Sequence, residues 1–228
     1  YTPNLNFNGS DSVRVRASDG TLGAETTLPI TIAPVNDAPT CSPTSIVTDE
    51  DTPGTATISC SDVDGDPLAY ALSGTSPNGA TTFDAATGKI TFAPNANWNG
   101  ATTIAITASD RTPPSSGLSV AASVAITVRP VNDPPTCTAV TIAGTEDTTT
   151  AQALSCSDPD GDAVTLSIAT QPANGSATIT GGSTLRYTPN LNFNGSDSVR
   201  VRASDGTLGA ETTLPITIAP VNDAPTCS

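Results

Sequence analysis

Acidic side chains recur in this chain at spacings that suit a hard cation. The stretch SDVDGD (61–66) places Asp62, Asp64 and Asp66 at alternate positions, and SDPDGD (157–162) repeats the pattern with Asp158, Asp160 and Asp162. Calcium takes six to eight oxygens, often from several carboxylates, and a glycine lets the chain turn around it. Three further phrases travel with these. PVND supplies Asn36 and Asp37, Asn132 and Asp133, and Asn222 and Asp223. An early cluster supplies Asp49, Glu50 and Asp51 in one place and Glu146 and Asp147 in another. ASD supplies Asp19, Asp110 and Asp205. Taken alone, DxDGD and the Asn-Asp joint can each also be read as a plain turn, because Asn, Asp and Gly initiate turns. Gathered together, so many carboxylates would repel one another without a cation. A calcium loop set between two helices is rejected: its closing Glu is missing, and the strand-forming runs LAYALSG and VTLSIAT follow instead.

Composition removes other chemistries. The 228 residues carry a formal charge of −14 with one lysine, Lys89, and seven arginines, which argues against nucleic-acid binding. There is no histidine, so Ser-His-Asp and Cys-His catalysis and His-bearing zinc sites within the chain are excluded. No apolar run reaches membrane-spanning length. The sequence starts at Tyr1 without an initiator methionine, and it is expected to be a mature or internal stretch.

The elements that must position the acids are strands. Thr, Ser, Ala, Val and Ile dominate, with 18 Gly and 20 Pro, and no run has helical spacing. Residues 1–42 are identical to residues 187–228, an offset of 186. Within that period lie two related units of immunoglobulin-like size. The expected division is 1–37, the back half of a repeat; 38–133 and 134–223, two complete repeats; and 224–228, the start of another. The chain is expected to be a stretch of a longer, nearly uniform array. The first unit offers seven strands, near 43–48, 54–60, 67–73, 80–84, 88–93, 101–109 and 118–128. ATTIAITAS (101–109), SVAITV (123–128) and DSVRVRAS (197–204) alternate as half-buried strands should. Asn-Gly pairs at 78–79, 99–100, 174–175 and 194–195 suit turns needing positive φ. The expectation is an all-β chain of tandem seven-stranded Greek-key sandwiches.

Cys41 and Cys60 are 19 residues apart, as are Cys137 and Cys156. The first of each pair opens a first strand and the second closes a second strand, so antiparallel pairing predicts the disulfides Cys41–Cys60 and Cys137–Cys156. Buried thiols are the competing reading. Cys227 repeats Cys41. Trp98 stands where Phe7 and Phe193 stand in the related phrases, and is read as a buried anchor ahead of a sugar-binding platform. NGS at Asn8, Asn174 and Asn194 fits both a glycosylation acceptor and a turn. RTPPSSG (111–117) reads as an exposed loop open to partner contact.

The run TDEDTPGTATISCSDVDGDPLAYALSG (48–74) resembles the first half of a cadherin repeat. FDAATGKITF (83–92), ITASD (106–110) and AITVRPVNDPP (125–135) resemble its middle and end. More closely, the pattern resembles the cadherin-like tandem repeats of large bacterial surface proteins and adhesins. That resemblance implies extracellular sandwich arrays with calcium at the junctions and roles in adhesion or fibre building. Carried over by position, Glu50 and Glu146 match the early glutamate. Asp62 with Asp64, and Asp158 with Asp160, match the acidic pair, and the three Asn-Asp pairs match the linker core. The linker's leading acid is replaced by Pro34, Pro130 and Pro220, and its trailing Asn by Ala38, Pro134 and Ala224. APNANWNG and TPNLNFNG stand where the family has its middle acidic motif. The resemblance therefore implies one or two calcium ions per joint rather than three.

These readings converge on a non-enzymatic segment of an extracellular fibre or cell-surface stalk. Its partners would be neighbouring repeats and possible further copies. The alternative is an adhesin module that holds glycan or protein through its loops or Trp98.

Overall fold

β-Branched residues on alternate positions, cut by Asn-Gly, Asp-Gly and proline, yield strands joined by turns, with no helix among the described residues. A computed structural model of the chain describes residues 1–110 and 117–224. It divides into two units, Tyr1–Pro130 and Val131–Ser228. None of the described residues forms a helix long and apolar enough to cross a membrane.

The first unit opens with a hairpin, β1 (Gly9–Ser18) and β2 (Gly23–Ile32), paired antiparallel from Gly9↔Ile32 to Ser18↔Gly23. A sandwich follows, built from β3 (Thr40–Cys41), β4 (Thr44–Asp49), β5 (Gly54–Thr57), β6 (Cys60–Ser61), β7 (Leu68–Gly74), β8 (Gly79–Asp84), β9 (Lys89–Pro94), β10 (Gly100–Asp110) and β11 (Ser119–Arg129). One sheet has the order β4-β11-β10-β7 and the other β5-β9-β8. The inward residues of the two sheets meet in a core that includes Ile46, Ile90, Phe92, Ile104, Ile106 and Ile126.

The second unit repeats this plan. Its strands are β12 (Thr136–Cys137), β13 (Ile142–Thr145), β14 (Thr150–Ala153), β15 (Cys156–Ser157), β16 (Thr165–Thr170), β17 (Gly175–Thr180), β18 (Thr184–Pro189), β19 (Gly195–Ser204) and β20 (Gly209–Ala219). The sheets are β13-β20-β19-β16 and β14-β18-β17, and the core includes Ile142, Leu185, Tyr187, Val199, Leu214 and Ile216.

Both disulfides form, Cys41–Cys60 and Cys137–Cys156, but in a different setting from the one the spacing suggested. The first long strand, β4, runs parallel along β11, with Ile46 opposite Ile126. The expected strand 54–60 is broken after Thr57. The cysteines sit instead on separate two-residue ladders, β3 with β6 and β12 with β15, where Cys41 faces Cys60 and Cys137 faces Cys156. Pro43 separates β3 from β4 in the first unit, and proline has no amide hydrogen to carry a ladder onward. Cys227 lies outside the described residues, as does loop 111–117 apart from Gly117.

The Asn-Gly pairs serve two purposes. Gly100 and Gly195 have φ of +133° and +122°, as the sequence suggested. Gly79 and Gly175 do not adopt positive φ. They begin strands under an aromatic ring, and a Cβ there would come within 2.5 Å of Phe92 Cζ or 2.6 Å of Tyr187 Cε2. Glycine is needed at those two positions for close approach, not for a turn.

Candidate metal centre

In SDVDGD the chain wraps around one carboxylate. Asp62 Oδ1 accepts the backbone N–H groups of Asp64 at 2.8 Å and Asp66 at 3.5 Å, and the N–H of Gly65 (φ +81°) returns to the Asp62 carbonyl. SDPDGD repeats this at 2.9 Å and 3.3 Å from Asp160 and Asp162 to Asp158 Oδ1. The turn reading is therefore correct for Oδ1. It leaves Oδ2 of Asp62 and of Asp158 buried with no hydrogen-bond donor. A buried carboxylate oxygen without a donor is costly, and coordination of a cation is one way to satisfy it.

The joint phrase comes to the same place. The Asp37 N–H donates to Asp64 Oδ2 at 2.8 Å, and Asn36 Nδ2 donates to Asp110 Oδ2 at 2.7 Å. The second unit matches it: Asp133 N–H to Asp160 Oδ2 at 2.8 Å, and Asn132 Nδ2 to Asp205 Oδ2 at 2.7 Å. With the amide nitrogen spent as a donor, each Asn can offer a cation only its Oδ1. Burial pushes the Asp66 carboxyl above the ordinary aspartate range, and the charges of Asp62, Asp110 and Asp64 add to the shift. Asp110 is itself only 4% exposed. The first unit thus brings Asn36, Asp37, Asp62, Asp64, Asp66 and Asp110 into one neighbourhood. The Asn-Asp pair, DxDGD and ASD are three of the four phrases singled out from the sequence. Oxygen donors of this hardness, without sulfur or imidazole, suit calcium rather than zinc.

The fourth phrase splits in two. Glu50 and Glu146 are buried at the ends of their first long strands. Glu146 accepts the Val221 N–H and Asn194 Nδ2, and these two bonds, Val221 first, hold its carboxyl below the usual range. The next acid is a loop clamp. Asp51 Oδ1 accepts the Asn97 N–H at 3.1 Å, Asp147 Oδ1 accepts the Asn192 N–H at 2.9 Å, and both acids sit at positive φ. Asn194 was legible only as a turn or glycosylation residue, and its grip on Glu146 had no sequence signal beyond its neighbour glycine. Asp19, the counterpart of Asp205, holds the β1–β2 turn through Thr21 and Leu22. Asn222 and Asp223 lie exposed at the end of the second unit.

Trp98 is half-buried against the core of the first unit, and Phe193 likewise in the second, so both are anchors. Residues 36–130 match the family model of the bacterial cadherin-like domain, and residues 132–219 that of the bacterial Ig domain. The first of these stretches is thus similar to the bacterial cadherin-like domain and the second to the bacterial Ig domain. Solved structures of cadherin ectodomains share its fold. The extracellular cadherin domains 1–5 of protocadherin gamma B2 align over 94% of this chain with a TM-score of 0.56 and 17% identity. Domains 1–2 of human protocadherin-24 align over 81% at 0.53 and 19%, covering 100% of that structure. Domains 1–3 of mouse protocadherin-24 align over 96% at 0.56 and 14%, covering 80% of that structure. The chain spans 46% of the gamma B2 ectodomain's length. Among curated proteins none matches it in sequence. These cadherin-like and Ig-like families are adhesion-type modules, not enzyme families.

Proposed function

We propose that the chain is a structural segment of an extracellular fibre or cell-surface stalk whose joints are stiffened by calcium. The repeats would be divided at residues 37/38, 133/134 and 223/224. The observation that carries this reading is the donorless, buried Oδ2 of Asp62 inside the Asp64, Asp66 and Asp110 cluster, repeated at Asp158. Asp62, Asp64, Asp66 and Asp110, with Asn36 Oδ1, would hold the ion in the first unit; Asp158, Asp160, Asp162, Asp205 and Asn132 would do so in the second. Glu50, Glu146, Asp37 and Asp133 are the further candidates, and one or two ions per joint fit the donor set. The ion would supply positive charge that cancels the mutual repulsion of the carboxylates. The prolines of PVNDAP and PVNDPP restrict the backbone beside the Asn-Asp pair whether or not an ion is bound. The disulfides fit an oxidising, extracellular setting.

Calorimetric titration with calcium and thermal melts with and without a chelator test the reading. Calcium at one hundred times its Kd should add about 2.7 kcal/mol of stability per site. A chelator that leaves melting and calorimetry unchanged removes calcium from this account.

A further inference from the structure

The two disulfides do more than pin strands. Asp37, whose N–H bonds Asp64 Oδ2, is four residues before Cys41, and Asp64 is four residues after Cys60. The Cys41–Cys60 bridge at one end and the Asp37-to-Asp64 hydrogen bond at the other close a small ring from two five-residue arms. Inside the ring Thr40 pairs with Ser61, and just beyond the bridge the Ser42 N–H meets the Ser59 carbonyl. The second unit builds the same ring from residues 133–137 and 156–160, with the Asp133 N–H on Asp160 Oδ2 at 2.8 Å.

This ladder is too short to be stable by itself. β3 and β6 contribute two residues each, and isolated two-stranded ladders are marginal even when longer. The bridge is the covalent element that keeps the linker arm, with Asn36 and Asp37, beside the arm that carries Asp62 and Asp64. The hydrogen bonds that join the linker arm to DxDGD, Asp37 N–H to Asp64 Oδ2 and Asp133 N–H to Asp160 Oδ2, are exposed, and water competes for them.

We propose that each disulfide is a positioning device for the joint cation site: by holding the Asn-Asp arm against the DxDGD arm, it pre-forms the oxygen cage and sets the affinity for calcium. This rests on the calcium reading above. The cysteines do not touch the ion. They act through Asp37 and Asp64, as residues outside a coordination sphere orient the ligands inside it.

The two copies give an internal control. The amides of Gly65 and Gly161 sit in the two DxDGD turns and report each site separately by NMR during a calcium titration. In C41S/C60S the affinity read at Gly65 should fall about tenfold or more, with Gly161 unchanged. In calcium-free protein the Asp37 amide of the same variant should exchange with solvent about tenfold faster, a readout that needs no metal. If Gly65 keeps its affinity within about twofold, or if Gly65 and Gly161 weaken alike, the positioning role is overturned. If the parent protein shows no calcium-dependent shift at either glycine, the calcium reading falls and this one with it. Should C41S/C60S fail to fold, the reciprocal C137S/C156S, read at Gly161 against Gly65, decides by the same criteria.

Discussion

Residues 9–32 and 195–218 have one sequence and one pairing, but only the second copy is packed. Gly9↔Ile32 through Ser18↔Gly23 is the same register, shifted by 186, as Gly195↔Ile218 through Ser204↔Gly209. Val13 is 44% exposed where its twin Val199 is 1%, and Leu28 is 48% exposed where Leu214 is buried completely. The second hairpin has β16 along one side and β13 along the other, with Leu185 and Tyr187 across the core. The first hairpin pairs with neither kind of neighbour among the described residues. Hairpin register is therefore written locally, in the alternation of DSVRVRAS and the DGTLG turn. Burial is written elsewhere, in the front half of the module. Identical substitutions at twin positions separate the two contributions.

The widest separation is expected at the central valine. Val199→Asp places a carboxylate in a closed apolar core and should cost about 4 kcal/mol or unfold the second unit. In the 228-residue chain, where Val13 is 44% exposed, Val13→Asp should cost less than about 0.5 kcal/mol. Denaturant unfolding followed by site-resolved amide signals measures both. Equal costs would mean that the first hairpin is covered in solution after all.

A smaller contrast is expected at Tyr187 and Tyr1. The Tyr187 hydroxyl donates toward Asp197 Oδ2 at 3.2 Å and the Asn174 carbonyl at 3.1 Å. Burial first, then the Asp197 charge, pushes its pKa up to about 12. Burial would raise Asp197, but the N–H groups of Asn174, Ser198 and Ala173 and the Tyr187 hydroxyl outweigh it, and its pKa is lowered. Removing the hydroxyl with Tyr187→Phe should cost about 1–2 kcal/mol. Tyr1→Phe, at an exposed pair with Asp11, should cost almost nothing. The signs with pH follow. Asp197 has a folded pKa below its unfolded value, so its contribution is present above the ordinary aspartate range and is lost as pH falls through the folded pKa. Tyr187 has a raised pKa, so its contribution is complete below about 10 and is lost as pH rises through about 12. Tyr187→Phe should therefore flatten the alkaline limb of the second unit's stability curve while leaving an acid limb.

The same division between local and distant information explains what the sequence made legible. Strands with a period of two were readable because each alternation is local: Ile104 and Ile106, or Val124 and Ile126, face inward as their spacing implied. The disulfide partners were readable from spacing, but not the two-residue ladders that hold them, because a parallel β4–β11 pairing is a long-range choice. At the candidate site the acids were readable by type. What was not readable is how each oxygen is used. Asp62 gives Oδ1 to its own turn and keeps Oδ2 aside, Asp51 clamps a loop, and Asp37 binds Asp64 through its backbone N–H. The Asp62 turn is local, but the Asp37 and Asp51 assignments depend on partners 27 and 46 residues away.

The smallest expected effect lies on the outer face, where neither twin is buried in the core. Arg200 and Glu211 are diagonal neighbours across β19 and β20, since Glu211 is paired with Arg202 and Arg200 with Thr213, and Nη2 and Oε2 are 2.5 Å apart; Arg14 and Glu25 hold the same positions on the first hairpin at 3.6 Å. The Arg14–Glu25 side chains are 74% and 49% exposed and the Arg200–Glu211 side chains 51% and 33%. A double-mutant cycle through Arg200→Ala and Glu211→Ala should return about 0.5 kcal/mol at low salt, and the Arg14–Glu25 cycle about 0.2 kcal/mol or less. Both should shrink in 1 M salt. The packed hairpin fixes its strands before the side chains meet, so its ion pair loses less freedom on forming. If the two cycles agree, strand order in the first hairpin equals that in the second, and the ladder holds its order without a second sheet packed on it.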